Sequence, residues 1–187
     1  MKKSLILLII LISNQIFSQT KLDSLIFKKI NTYRYENSTF PVSLSKKLCK
    51  VSENQSEYCS KVKFVTLTQD IDVDSFVEEK NTMQRFSNFI DTTNVKSVRE
   101  CGVLVINYND TMSIEDIAEE AVESLKSDDE TKDFILSLNA NFLGVGHKVG
   151  NEYEETVVNI ETMEEYTTKY IGTIYFITIN YVRGLVE

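Results

Sequence analysis

Residues 113–149 constrain the fold more than any other stretch of the chain. Ile114, Ile117, Ala118, Ala121, Val122 and Leu125 recur at the spacing of one helical face. Ser113 with Asp116 makes a capping-box-like start, because the serine hydroxyl accepts a backbone N–H three residues on. Ser127 with Glu130 repeats that signal, so the spacing predicts a stop, a restart and a second short helix with Phe134, Ile135 and Leu138 on its apolar face. Asn139-Ala140-Asn141 is turn chemistry. Residues 142–149 then read as a strand, with Gly144 and Gly146 marking either a close approach of another backbone or a bulge.

The start of the chain speaks to compartment. Lys2 and Lys3 precede an aliphatic run over residues 5–12, and Ser18 is a small residue before Gln19. A basic start, a short apolar core and a small residue at the cut are the marks of a secretory signal peptide over residues 1–18. The run is shorter than the ~20 residues a membrane-spanning helix needs. No cysteine sits at the cut, so a lipoprotein anchor is not expected, nor is a transmembrane segment in the mature chain. The expectation is a secreted or periplasmic single domain over residues 19–187. Its formal charge of −8 becomes more acidic once Lys2 and Lys3 leave. Such a surface repels phosphate backbones and disfavours nucleic acid as a partner.

The remaining elements follow from periodicity. Leu22, Ile26, Ile30 and Tyr33 predict a first helix over residues 20–34, with Thr20 and Asp23 at its cap. Ser43 is expected to cap a second helix carrying Leu44, Leu48, Val51, Tyr58 and Val62 on one face. A neighbouring stripe of small residues, Cys49, Ser52, Ser56 and Cys59, lets another element pack closely. Residues 64–68 read as a short strand or an extended link. Asp70, Asp72 and Asp74 suggest a calcium loop, but the sixth and twelfth places hold Ser75 and Asn81 instead of Gly and Glu, so an acidic helix start is expected there. Phe76, Met83, Phe86, Phe89 and Ile90 extend that helix. Residues 98–108 are β-branched and strand-like. After a turn at Gly150-Asn151, a weak strand is expected over 153–160 and a polar stretch over 161–170. Residues 173–182 form a strong strand, apolar on both faces and therefore central. The sum is an α+β fold: an α-β-α sandwich with a small, mostly antiparallel three-stranded sheet flanked by helices.

Three cysteines cannot all pair within one chain. Cys49 and Cys59 lie ~15 Å apart along one predicted helix, beyond the ~7 Å a disulfide tolerates. Either Cys101 meets one of them across the core, or all three are buried thiols. There is no C-x-x-C and one histidine, so no zinc spacing is present.

Several pieces, in order, resemble the CAP superfamily of SCP-like secreted domains. They are Ile30-Asn31-Thr32-Tyr33-Arg34, the helix over 44–62, Arg99-Glu100-Cys101 in the place of that family's Gly-Glu-Asn, the helix and its sequel over 121–136, Phe142-Leu143-Gly144-Val145-Gly146, and the closing strand over 174–182. The resemblance implies the same α-β-α sandwich. Many members set two histidines and acidic residues in a central cavity that can hold a divalent metal. Here one histidine position falls near Thr131, with Lys132 in the following arginine place. The other falls in 64–68, where there is no histidine. The family's helix tryptophan is Leu125. Glu100 alone keeps a family cavity identity, so the resemblance implies Glu100 and Thr131 as ligand-cavity residues, with no metal and no cofactor.

No catalytic residue is assigned. His147 follows the Gly-Val-Gly strand and matches neither family histidine position. The favoured expectation is an exported, non-catalytic binding module for a small apolar ligand or a protein partner. A hydrolase using Glu100 requires that carboxylate to converge with His147 in one cleft. A structural envelope protein predicts a filled cavity instead.

Overall fold

The glycines of the predicted Gly-Val-Gly strand set the spacing of the whole molecule. In the computed structural model, which describes residues 20–69, 81–158 and 165–184, helices cover both faces of one sheet. In chain order these are α1 (Lys21–Glu36), β1 (Ser43–Leu44), α2 (Lys46–Val62), α3 (Thr82–Phe89), β2 (Val95–Asn107), α4 (Ile114–Ser127), α5 (Asp129–Ile135), β3 (Phe142–Val158) and β4 (Glu165–Gly184). The sheet runs β1-β3-β4-β2. β4 lies antiparallel between β3 and β2, and β1 adds a two-residue parallel edge. The expected α-β-α sandwich is therefore present, with four strands among the described residues instead of three. The predicted signal peptide and the acidic stretch from Asp70 through Phe76 lie outside the described residues.

On one face, Leu22, Ile26 and Ile30 of α1 and Ile117, Ala118, Ala121, Val122 and Leu125 of α4 meet Val103, Val105, Val145, Ile177 and Ile179. Fully burying each large aliphatic side chain contributes about 1.5–3 kcal/mol. Ile114, expected on this face, is exposed. On the other face, Leu48 and Val51 of α2 pack with Phe86 and Val182, and Cys59 packs with Ile174 and Phe176. Two residues of the Asn31–Arg34 piece are pins. Asn31 exchanges two hydrogen bonds with the Val42 backbone. Arg34 is 1% exposed and donates to the carbonyls of Phe40, Ile135 and Ser137.

α2 rides directly on β3. A Cβ built on Gly144 would lie 2.3 Å from the Leu48 carbonyl carbon, and one on Gly146 2.2 Å from the Glu53 nitrogen. The small stripe supplies the other half of this contact. Ser52 and Ser56 donate to the carbonyls of Gly144 and Gly146.

Several boundaries differ from the sequence expectation. Ser45, not Ser43, caps α2 by accepting from the Leu48 N–H, because Ser43 and Leu44 are taken into the ladder with Phe142 and Leu143. Asp128, not Ser127, caps α5 by accepting from the Thr131 N–H. Of the two readings of residues 64–68, the link and not the strand is present. Gly150-Asn151 is not a turn: the β3–β4 register shifts there and both strands run on, so the segment from Glu165 onward is strand. The ladder overrides a weak local pattern. No helix among the described residues is long and apolar enough to cross a membrane.

Candidate functional site

Among the described residues β2 is an edge strand, and a cavity of about 590 Å³ runs along its free side. Residues 99–104 of β2 form its floor. Val65, Thr66 and Leu67 form one wall, and Ser124, Leu125, Asp128, Glu130 and Thr131 form the other. Both residues implied by the family resemblance, Glu100 and Thr131, therefore line one cavity. Leu125, in the place of the family's tryptophan, lines it too.

Their side chains do not converge. Successive strand residues point to opposite faces. The Glu100 carboxylate turns toward α3, where Arg85 donates to Oε2 and the Thr82 hydroxyl donates at 3.0 Å. Both ion-pair side chains are sealed, 0% exposed for Arg85 and 1% for Glu100. What Glu100 presents to the open cavity is thus its strand backbone. Burial pushes the Glu100 carboxyl up, against the pull of Arg85 and the Thr82 hydrogen bond. The Thr131 hydroxyl lies on the α4 side, 3.7 Å from the Cys101 sulfur. Burial raises the Cys101 thiol as well. The Thr131 backbone N–H is spent on Asp128, and the Thr131 hydrogen bonds hold that exposed carboxyl below the usual range.

The interior beside Glu100 is polar. Ser52, Gln55, Ser56, Gln69, Thr178 and Asn180 are all buried there. Asn180 donates to Ser52 at 2.9 Å, and Ser56 and Thr178 hydroxyls are 3.0 Å apart. Gln69 donates to Gln55 at 3.0 Å, and Gln55 donates to the Thr66 carbonyl. Sequence reasoning named the serines as small residues but missed Arg85, Gln55, Gln69 and Asn180. One signal was available: Thr178 and Asn180 alternate within an otherwise apolar strand and face the serines of α2.

The three cysteines are free and buried, so the alternative of a Cys101 bridge is not realised. Cys101 faces α4 and α5, whereas the Cys59 sulfur faces the Thr66 carbonyl on the opposite side of the sheet. No group of three metal-ligating side chains occurs among the described residues. His147 sits elsewhere, with Nδ1 donating to Asp23 Oδ1 at 2.8 Å beside the α1 cap. His147 is in register with Ile177, and Glu100 with Asn180. Ile177 and Asn180 lie three apart on β4, on opposite faces. The convergence that a Glu100–His147 hydrolase requires is therefore absent.

No protein-family model matches the chain, and no curated protein matches it. Solved structures do. An outer surface protein from Borrelia burgdorferi superposes with a TM-score of 0.56 at 10% identity, over 90% of this chain and 97% of that one. An extracellular protein containing a SCP domain from Bacillus anthracis gives 0.56 at 12% identity, over 87% of this chain; the match spans 40% of the Bacillus protein's length. A cysteine-rich secretory protein from Staphylococcus aureus gives 0.49 at 10% identity, over 89% of this chain and 40% of that one. At these identities the likeness to the Borrelia and Bacillus proteins is one of fold, and that fold is the one the residue resemblance implied.

Proposed function

We propose, from a chain with the fold of SCP-domain proteins, an exported binding module that works without catalysis through the cavity on the free side of β2. The observation that carries this reading is the division of labour at Glu100. Its backbone helps floor an open cavity, while its carboxylate is locked away on Arg85. A carboxylate so sealed has no path to a substrate, and the single histidine stands on the other face of the sheet. An envelope protein would need a filled cavity, and the one along β2 is open. Export rests on the predicted leader over residues 1–18, and it accords with the outer-surface and extracellular descriptions of two structural neighbours.

A segment of a protein partner suits the cavity best, because its floor is backbone. A small apolar ligand is the second reading, favoured by Val65, Leu67 and Leu125 on the walls. The test is chemical-shift mapping of the folded protein against short peptides and against a medium-chain fatty acid. Shifts clustered on Leu67, Gly102, Leu104, Leu125 and Thr131 are expected. Shifts confined to the groove between α1 and α4, around Tyr33 and Val122, would overturn the assignment.

A further inference from the structure

The direction of the β2 backbone can be read from its neighbours. Ser43 and Ser45 of the β1 edge donate to the carbonyls of Asn141 and Leu143, so odd-numbered residues of β3 point their backbone groups toward β1. Phe142 and Gly144 then face β4, and the Val182 carbonyl faces β3 as this requires, since it accepts from the N–H of Asn141 just ahead of the strand. Val182 and Asn180 of β4 accordingly face β3, while Tyr181, Ile179 and Ile177 face β2. These three are in register with Arg99, Cys101 and Val103. Backbone direction alternates along a strand. Glu100, Gly102 and Leu104 therefore aim their N–H and C=O groups at the free edge, and all three lie in the cavity floor.

Such an edge is a template for another strand, and stable proteins blunt it with proline, charge or a covering element. β2 is 13 residues long, and its end over residues 102–107 carries neither charge nor proline. Among the described residues, the segments beside it, 65–67 and the α4–α5 corner, stand as walls and add no ladder. The acidic wall pairs Asp128 and Glu130 with one cation, Arg99, which is bonded to Glu130. The chain as a whole carries −8.

The geometry points to strand addition: an extended, basic segment of a partner protein pairs with the outward backbone groups of Glu100, Gly102 and Leu104 and becomes the fifth strand of the sheet. This inference rests on the cavity reading above and names its partner class. Main-chain hydrogen bonds supply the affinity of such a mode, and acidic neighbours favour lysine or arginine in the added strand.

The probe is a synthetic peptide of alternating threonine and valine with a lysine at each end. Its controls are the same peptide with glutamate for lysine and the same peptide N-methylated on alternate residues. Binding is read by hydrogen exchange of the full mature chain. The expected result is slowed exchange at the amides of Glu100, Gly102 and Leu104, with at least about tenfold weaker binding for the N-methylated peptide and weaker binding for the acidic one. Leu104→Pro removes one outward N–H without touching the ladder to β4 and should weaken binding similarly. The N-methylated control carries the test if that variant misfolds. Binding with equal strength by the N-methylated peptide, or protection elsewhere in the cavity, overturns strand addition and leaves the cavity reading standing. No binding by any peptide overturns strand addition, while fatty-acid shifts in the cavity would still support the cavity reading. Protection of the same amides by self-association without peptide assigns the edge to a second copy of the chain and overturns the partner-segment assignment.

Discussion

Gly146→Ala tests the packing that holds the sheet under α2. The added Cβ would stand 2.2 Å from the Glu53 nitrogen, 2.7 Å from the Glu53 Cα and 2.7 Å from the Ser52 carbonyl carbon. All three are helix backbone, so no side-chain rotation relieves the clash. Carbon contacts settle near 3.5–4 Å, so α2 must retreat from β3 by about 1 Å or more. Overpacking of this kind costs about 1–3 kcal/mol. The retreat also stretches Ser56 to Gly146 at 3.0 Å and Ser52 to Gly144 at 3.2 Å, each worth about 1 kcal/mol when buried. A loss of about 3–5 kcal/mol is expected, a large share of the ~5–15 kcal/mol typical of a domain. Urea unfolding followed by circular dichroism measures it. Gly102→Ala is the internal control: its Cβ would meet Val65 Cγ1 at 2.6 Å, a side-chain methyl on a link that is neither helix nor strand, so the loss should stay below about 1 kcal/mol. Equal, small losses for the two variants would refute the close-approach argument.

Arg85→Met leaves the Glu100 carboxyl buried without its cation and should cost about 3–5 kcal/mol in urea unfolding. Adding Glu100→Leu should recover most of that, and a double variant no better than the single one would contradict the pair's role. Burial holds the folded Glu100 carboxyl above its ordinary range, so its contribution to stability is full below the unfolded pKa and is lost as pH rises through the folded one. As pH rises above the ordinary carboxylate range of about 4, the native protein should therefore lose stability relative to Glu100→Gln; a relative gain in urea midpoint would reverse the sign. Cys49, Cys59 and Cys101 are buried with raised thiol pKa values, so a thiol reagent should label them in denaturant and far more slowly in the native protein. A disulfide surviving in non-reduced, unfolded protein would contradict the free-thiol assignment.

The elements that were legible in the sequence are those where local signal and tertiary packing agree. Ser113, Asp116 and the Ile117–Leu125 face predicted α4, and the capping box and burial match. The Gly144–Gly146 pair and the Ser52–Ser56 stripe each implied close approach, and they turn out to be two sides of one contact. What was not legible depended on partners distant in the chain. Ser43 reads as a cap until Phe142 offers it a ladder. Glu165–Tyr170 reads as polar linker because a two-stranded ribbon exposed to solvent needs no alternating pattern. At the site, the family resemblance implied Glu100 and Thr131 as residues of one cavity but gave no hint that Arg85, from a separate helix, captures the carboxylate. A charge pair between elements leaves no periodic trace in either.

The most direct measurement is a zinc titration of the folded protein followed at the Glu100 side-chain carboxyl carbon. A carboxylate already bonded to Arg85 and Thr82, with no imidazole on its face of the sheet, should show no shift up to excess metal. A shift that saturates at one equivalent would mean that this carboxylate is open to a ligand, and the account of a sealed side chain behind a backbone-floored binding cavity would fail.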